Sequence, residues 1–287
     1  MAQDILTAIR SRMGSLSKGQ KRIANYITES YDKAAFLTAS RLGKTVGVSE
    51  STVVRFAVEL GFDGYPSMQK ALQGLVRNQL TSVQRIEAAN DLIGSRDVVS
   101  KVLQSDMETI RLTSEALDRD VFDGAVNAIL SAKNVYIVGV RSSAALASFL
   151  NFYFRNMMDN VRLIDSTAVS EMFEQLVHVS PDDVVIGISF PRYSSRTIKA
   201  IQFCRDSGAA VVAVTDNLQA PAAKIAQYTL VAKSDMVSIV DSLVAPLSLI
   251  NALIVAIGRK KEKELSNTYE ELERMWAEYE VYERVRN

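Results

Sequence analysis

The stretch TASRLGKTVGVSESTVVRFAVELGFDGY, Thr38 to Tyr65, decides how the N-terminal part of the chain is built. A helical pattern over Ala39 to Val46 breaks at Gly47, and a second pattern opens at Ser49 and runs to Leu60. Ser49 is a good N-cap, Gly61 a good stop just past the helix, and Gly47 the residue that a tight corner needs. Within the second helix Val53, Phe56, Ala57 and Leu60 stand at i, i+3, i+4 and i+7, so they share one apolar face that must be buried. The other face carries Ser51, Thr52 and Arg55, two short hydroxyls and a forked cation near the end that meets base edges when a helix enters a major groove. The spacing predicts a helix-turn-helix. An ordinary corner between two helices is the alternative, and the rest of the chain weighs against it.

The charge distribution is the first such argument. The 287 residues carry 33 basic and 33 acidic side chains, yet residues 1 to 80 hold eleven of the former and six of the latter. The N-terminal part is thus positive and the remainder negative, as expected when only one domain faces a polyanion. Around the corner motif, a helix over Ser17 to Tyr31, a short one at Ala34 to Leu37 and another over Ser67 to Leu80, with Pro66 at its start, complete a compact helical domain spanning 1–80. Lys18, Lys21, Arg22, Arg41 and Lys44 are its candidate phosphate contacts, with Ser49, Ser51, Thr52 and Arg55 at the groove.

Composition excludes several classes. One cysteine, Cys204, and one histidine, His178, allow neither an internal disulfide nor a Cys/His zinc site, and no metal or cofactor is expected. The first thirty residues lack a signal peptide's apolar core, and the longest uncharged run, Ser242 to Gly258, is short for a membrane span and broken by Pro246, Ser248 and Asn251. A cytoplasmic protein with no membrane partner is expected.

Residues 81–96 are polar and weakly patterned, as a linker would be, and an amphipathic helix follows over Asp97 to Leu117, then one over Val121 to Leu130. Beyond Lys133 short apolar runs alternate with helical segments. The runs are 135–140, 161–164, 184–189, 210–215 and 228–231; the helices are 143–158, 167–177, 195–207, 222–226 and 242–258. That alternation predicts a five-stranded parallel sheet covered on both faces, ordered 2-1-3-4-5, over 97–259. The segment 260–287 reads as an amphipathic helix bearing Leu265, Leu272, Trp276, Tyr279 and Tyr282, packed on its own domain or on a partner.

In that sheet order strands one and three flank the topological switch point, and both run into unusual loops. The first continues as Gly139, Val140, Arg141, Ser142, Ser143; the third as Ser189, Phe190, Pro191, Arg192, Tyr193, Ser194, Ser195, Arg196, Thr197. Helix N-termini there present free N–H groups, and Ser142, Ser143, Ser189, Ser194 and Thr197 add hydroxyl donors, a combination suited to phosphate. Hydroxyls in such loops also serve as ordinary caps.

These loops resemble those of the sugar isomerase (SIS) fold, and an SIS domain behind SESTVVRFAVELGFDGY is similar to the RpiR family of bacterial transcription regulators. The resemblance spans Ser17 to Arg259 and implies a regulator that binds operator DNA through one domain and senses a phosphorylated sugar or amino sugar through the other. The SIS pattern Gly-x-Gly-x-Ser has Arg141 at its second glycine, and Ser-x-Ser-Gly-x-Thr-x-Glu has Pro191, Arg192 and Arg196 for a hydroxyl, the glycine and the acid. Arg141, Arg192 and Arg196 either contact a second anionic group of the ligand or face solvent or a subunit interface.

The fold also supports sugar-phosphate isomerases, for which Glu171, Glu174 and His178 are the candidate bases. Neither strand-end loop holds a carboxylate, so a regulator without enzymatic activity is the reading adopted. Two-fold operators predict a homodimer or higher even oligomer. The helix 97–117 is the expected transmitter between the two domains.

Overall fold

A computed structural model describes residues 5–76, 97–166, 168–234 and 241–282. They form two compact units that divide between Lys101 and Val102.

The N-terminal unit is helical. Its elements are α1 (Ile5–Arg12), α2 (Lys18–Glu29), α3 (Tyr31–Ala34), α4 (Ala39–Val46), α5 (Glu50–Glu59) and α6 (Tyr65–Val76). Helix α1 is absent from the sequence expectation, although Ile5, Ala8 and Ile9 give it a buried i, i+3, i+4 face. The expected short helix at 34–37 forms earlier, as α3. Helix α6 starts at Tyr65 rather than Ser67, because Pro66 in a first turn sacrifices no intrahelical bond. Residues 77–80 of that expected helix, and the expected linker 81–96, lie outside the described residues.

Ser17 and Gln20 make a capping box at the start of α2: Ser17 N–H donates to Gln20 Oε1 at 2.9 Å, and Gln20 N–H to Ser17 Oγ at 3.4 Å. Val53, Phe56 and Ala57 of α5 are buried with Ile23 and Ile27 of α2, Leu42 of α4 and Met68 and Leu72 of α6. The apolar stripe read from the sequence is therefore the face that holds α5 in place, and Leu60 joins it just past the helix.

The division falls within α7 (Val98–Ala116); the second unit continues with α8 (Arg119–Ser131), then alternates: β1 (Val135–Val138), α9 (Ser143–Arg155), β2 (Val161–Ile164), α10 (Val169–Leu176), β3 (Val184–Ile188), α11 (Ser195–Asp206), β4 (Ala210–Thr215) and β5 (Tyr228–Val231). Helices α12 (Val244–Lys260) and α13 (Glu262–Glu278) follow. The expected helix at 222–226 does not form; 221–225 are turns, since a segment that short after Pro221 closes too few bonds to offset nucleation.

The sheet is parallel throughout, in the order β2-β1-β3-β4-β5. Its strands alternate between two cores, as a two-residue period requires. Ile137, Ile186, Val212 and Leu230 face α8, α9 and α12, whereas Tyr136, Val138, Val185 and Val211 face α10 and α11. Two glycines set the spacing near the strand ends. A Cβ on Gly187 would lie 2.6 Å from Ile201 Cγ2 of α11, and one on Gly139 would lie 2.9 Å from the Ser143 carbonyl oxygen of α9. Each draws a helix onto the sheet beside the switch point. The tail helix α13 buries none of its residues, but its Leu265 reaches within 3.5 Å of where a Gly258 Cβ would stand, so its start packs on α12 of its own unit.

Candidate functional site

In the N-terminal unit the corner between α4 and α5 has the geometry of a helix-turn-helix. Gly47 closes α4 in the left-handed region at φ 68°, and Val48 N–H donates to the Gly43 carbonyl at 2.8 Å. A Cβ on Gly43 would lie 2.8 Å from the Val48 carbonyl oxygen, so the turn requires glycine twice, once for φ and once for space. Ser49 caps α5 by accepting from Thr52 N–H, and its hydroxyl lies 2.9 Å from Ser51 Oγ and 2.8 Å from Thr52 Oγ1. Ser51 and Arg55 are exposed and Thr52 half-buried; Arg55 donates from Nε to the Ser51 carbonyl at 3.3 Å, which lays its guanidinium back along the first turn.

Lys21, Arg22, Arg41 and Lys44 are exposed, as is Lys18. The Arg22 guanidinium stands 3.2 Å from where a Gly47 Cβ would be, so α2 delivers a cation to the turn itself. Val54 and Val58 are also exposed, at 38% and 55%, beside Arg55 on the outer face of α5.

In the second unit a cavity of about 550 Å³ opens where β1, β2 and β3 end. Its lining draws on four segments: Gly139, Val140, Arg141, Ala144 and Ser148 from β1 and α9, Leu163, Asp165 and Ser166 from β2, and Arg192 to Arg196 from the loop into α11. Of the predicted residues it brings together Arg141, Arg192, Ser194 and Arg196. It does not include Ser142, Ser143, Ser189 or Thr197. Ser142 is exposed at the N-cap position of α9 without making a side-chain cap, and Ser143 is 5% exposed as the first residue of that helix. Ser189 and Thr197 are 2% and 1% exposed, and their hydroxyl oxygens have no hydrogen-bond partner among the described residues. Two buried, unsatisfied hydroxyls flanking one loop are unusual, because each forgoes a bond to water.

Ser194 is the N-cap of α11, its Oγ accepting from Arg196 N–H at 3.3 Å. Its hydroxyl proton remains available to an anion in the cavity, since a hydroxyl donates once besides accepting. Arg141 has φ 58°, one of three non-glycine residues with positive φ among those described. It occupies the second glycine position of the SIS pattern and keeps the backbone conformation suited to glycine. A non-glycine residue there carries about 1–2 kcal/mol of strain.

Ser148, Asp165 and Ser166 lie outside the two loops and escape a reading confined to them, and Tyr193 lies within the second loop without having been a candidate. Asp165 and Ser166 follow the β2 run directly, and the rule that parallel strands carry sites at their carboxyl ends points to them. Ser166 donates to Glu171 Oε2 at 2.5 Å and accepts from Ala168 N–H at 3.1 Å. The Tyr193 hydroxyl donates to Asp216 Oδ1 at 2.8 Å and accepts from Asn217 Nδ2 at 3.2 Å, tying the arginine-bearing loop to the end of β4. Glu171, Glu174 and His178 are exposed outside the cavity lining, and α10 ends at Leu176, so His178 is not on the helix with Glu174.

Comparison with known proteins agrees with both halves. The family model for the helix-turn-helix domain of the rpiR family matches residues 3–79, and that for the SIS domain matches 128–256. The HTH-type transcriptional regulator HexR of Escherichia coli K12 is 28% identical over 213 residues, 74% of this chain and 72% of that protein. The sugar isomerase domain of an RpiR transcription factor from Sphaerobacter thermophilus superposes with a TM-score of 0.59 at 27% identity, covering 61% of this chain and 97% of that one. The NanR protein of Vibrio vulnificus, solved with ManNAc-6P, shares the fold across 96% of this chain and 98% of its own, with a TM-score of 0.58 and 21% identity. With its rpiR-type helix-turn-helix unit followed by an SIS unit, the chain belongs to the RpiR family of DNA-binding transcriptional regulators.

Proposed function

We propose that the cavity at the ends of β1, β2 and β3 binds a phosphorylated sugar or amino sugar, and that its occupancy controls the affinity of the helix-turn-helix unit for operator DNA. The observation that carries this reading is the cavity wall itself. Arg141, Arg192 and Arg196 converge there with the Ser194 hydroxyl at the start of α11, giving guanidinium forks and a helix N-terminus to one anion. The phosphosugar seated in the related NanR protein is consistent with it. Ser142, Ser143, Ser189 and Thr197 stand in the same two loops without lining the cavity, and the buried Ser189 and Thr197 hydroxyls have no partner among the described residues.

On the DNA side, Ser49, Ser51, Thr52 and Arg55 read bases while Lys21, Arg22, Arg41 and Lys44 hold phosphates. The protein acts as a homodimer or higher even oligomer, since a two-fold operator presents two half-sites about 34 Å apart. Exposed apolar side chains on α7, Leu103 at 57% and Met107 at 64%, suit such an assembly. The DNA-binding head comprises 1–80, the connecting segment 81–96, the sensor 97–259 and the tail 260–287, with α7 as transmitter. A cytoplasmic location accords with DNA as partner, and no helix among the described residues is long and apolar enough to cross a membrane.

Sensing, rather than turnover, is the role of the cavity. The candidate bases Glu171, Glu174 and His178 do not line the cavity, and the carboxylate that does, Asp165, is read as a ligand acceptor because the rpiR-type helix-turn-helix unit favours sensing. A thermal-shift series with phosphorylated sugars tests the reading: an effector raises Tm in proportion to the logarithm of its concentration over Kd. Absence of any shift at millimolar concentrations across hexose, pentose and amino-sugar phosphates would refute it.

A further inference from the structure

The cavity has walls of opposite character, and the sheet order fixes where each stands. Strand β1 lies between β2 and β3, so the residues ending β2 and those ending β3 are two strand spacings apart, about 10 Å. The β3 side brings Arg192, Ser194 and Arg196, with Arg141 from β1 between; the β2 side brings Asp165 and Ser166. Asp165 is exposed into an open cavity, and Ser166 already donates its proton to Glu171. The β2 wall therefore offers acceptors, while the β3 wall offers donors and positive charge.

Resting on the sensor reading above, we propose that Asp165 is the specificity-determining residue of the cavity. It accepts hydrogen bonds from hydroxyl or amino donors at the end of the sugar remote from the phosphate, and it rejects a phosphorylated sugar acid by placing one carboxylate against another. An ionised carboxylate only accepts, so its partners must be donors. A six-carbon chain with a terminal phosphate has the length to reach from the arginine wall to Asp165. A second anionic group, one of the two alternatives for the three arginines, then has no place at the β2 wall.

Two ligands isolate this property, because glucitol 6-phosphate and 6-phosphogluconate differ only in a terminal CH2OH or carboxylate. Calorimetric titration of the full chain with each, and with inorganic phosphate, is the test. The wild type binds glucitol 6-phosphate at least tenfold more tightly than 6-phosphogluconate. Asp165→Asn, which keeps the shape and removes the charge, narrows that ratio to within about threefold and leaves inorganic phosphate binding unchanged; Asp165→Ala does the same with weaker glucitol 6-phosphate binding, by roughly 10- to 100-fold. A ratio unchanged by both substitutions, or a wild type that prefers 6-phosphogluconate, would overturn the assignment while leaving the phosphate site standing. Failure of all three probes to bind would overturn the sensor reading and this assignment together.

Discussion

Replacing Arg141 by Gly should stabilise the second unit and impair its ligand binding at once. The residue holds φ 58° in the turn between β1 and α9, where Ala144 N–H donates to its carbonyl at 3.0 Å. Glycine there relieves about 1–2 kcal/mol of left-handed strain but adds about 0.5–1 kcal/mol of unfolded-chain entropy. The net gain is then about 0–1.5 kcal/mol, a rise of up to roughly 6 °C in Tm for a unit of this size. Removing the guanidinium deletes a charge-assisted contact worth about 1.5–3 kcal/mol, or a roughly 10- to 150-fold loss of affinity for a bound phosphosugar. Differential scanning calorimetry without ligand gives the first quantity and titration with glucitol 6-phosphate the second. Arg141→Ala keeps the strain and loses the charge, so it should bind as weakly as the glycine variant yet be no more stable than wild type. A glycine variant with lower Tm and undiminished affinity would refute both the strain and the role.

Other expectations follow from the same geometry. Arg55→Ala should cost about 1–3 kcal/mol on a selected operator and less on random DNA, by fluorescence anisotropy at fixed salt; equal losses on both would assign Arg55 to the backbone. Tyr65→Phe should cost the N-terminal unit about 0.5–1.5 kcal/mol in urea unfolding, because the buried phenol, raised to about 12 by desolvation, donates to the Leu37 carbonyl. Gly187→Val should lower stability by about 1–3 kcal/mol or more by forcing Ile201 of α11 off β3, whereas Gly74→Ala, with open space around it, should not. Burial alone would raise the Asp183 carboxyl, but hydrogen bonds from Asn134 and from the Ser180 backbone and hydroxyl outweigh it and hold the group below its ordinary value of 3.8. Its stabilisation is therefore complete above that value and is lost as pH falls through the lower folded one. Asp183→Asn should flatten the acid limb of a stability–pH profile measured by urea denaturation.

Legibility in the sequence followed the physics of each signal. The alternation of apolar runs with helical segments and the capped, glycine-broken corner at Thr38 to Tyr65 are repeated signals, so the sheet order and the helix-turn-helix were both readable. Helix α1 was missed because its eight residues carry a buried stripe of only Ile5, Ala8 and Ile9, too short to stand out in the sequence. The 222–226 helix was over-read because apolar spacing alone does not supply the bonds that nucleation needs. The arginines were identified through their departure from a glycine-rich pattern, and the structure places all three on the cavity. Asp165 was missed because the reading kept to the loops after strands one and three; the strand-end rule applied to β2 as well, and the sheet order brings that strand's end opposite the arginines. The hydroxyls divided along another line that sequence does not show: Ser194 lines the cavity, Ser142 is exposed outside its lining, and Ser143, Ser189 and Thr197 are buried.

The central claim is that ligand in the cavity of one unit controls DNA binding by helix α5 of the other. It is tested most directly by measuring the affinity of the full chain for an operator selected from a random-sequence library, with and without a saturating phosphosugar identified by thermal shift. The wild type should change affinity by about 5- to 150-fold, a coupling of about 1–3 kcal/mol. Ser194→Ala combined with Arg192→Ala should abolish the change and leave ligand-free DNA binding intact. An operator affinity indifferent to a ligand that demonstrably stabilises the protein would contradict the account.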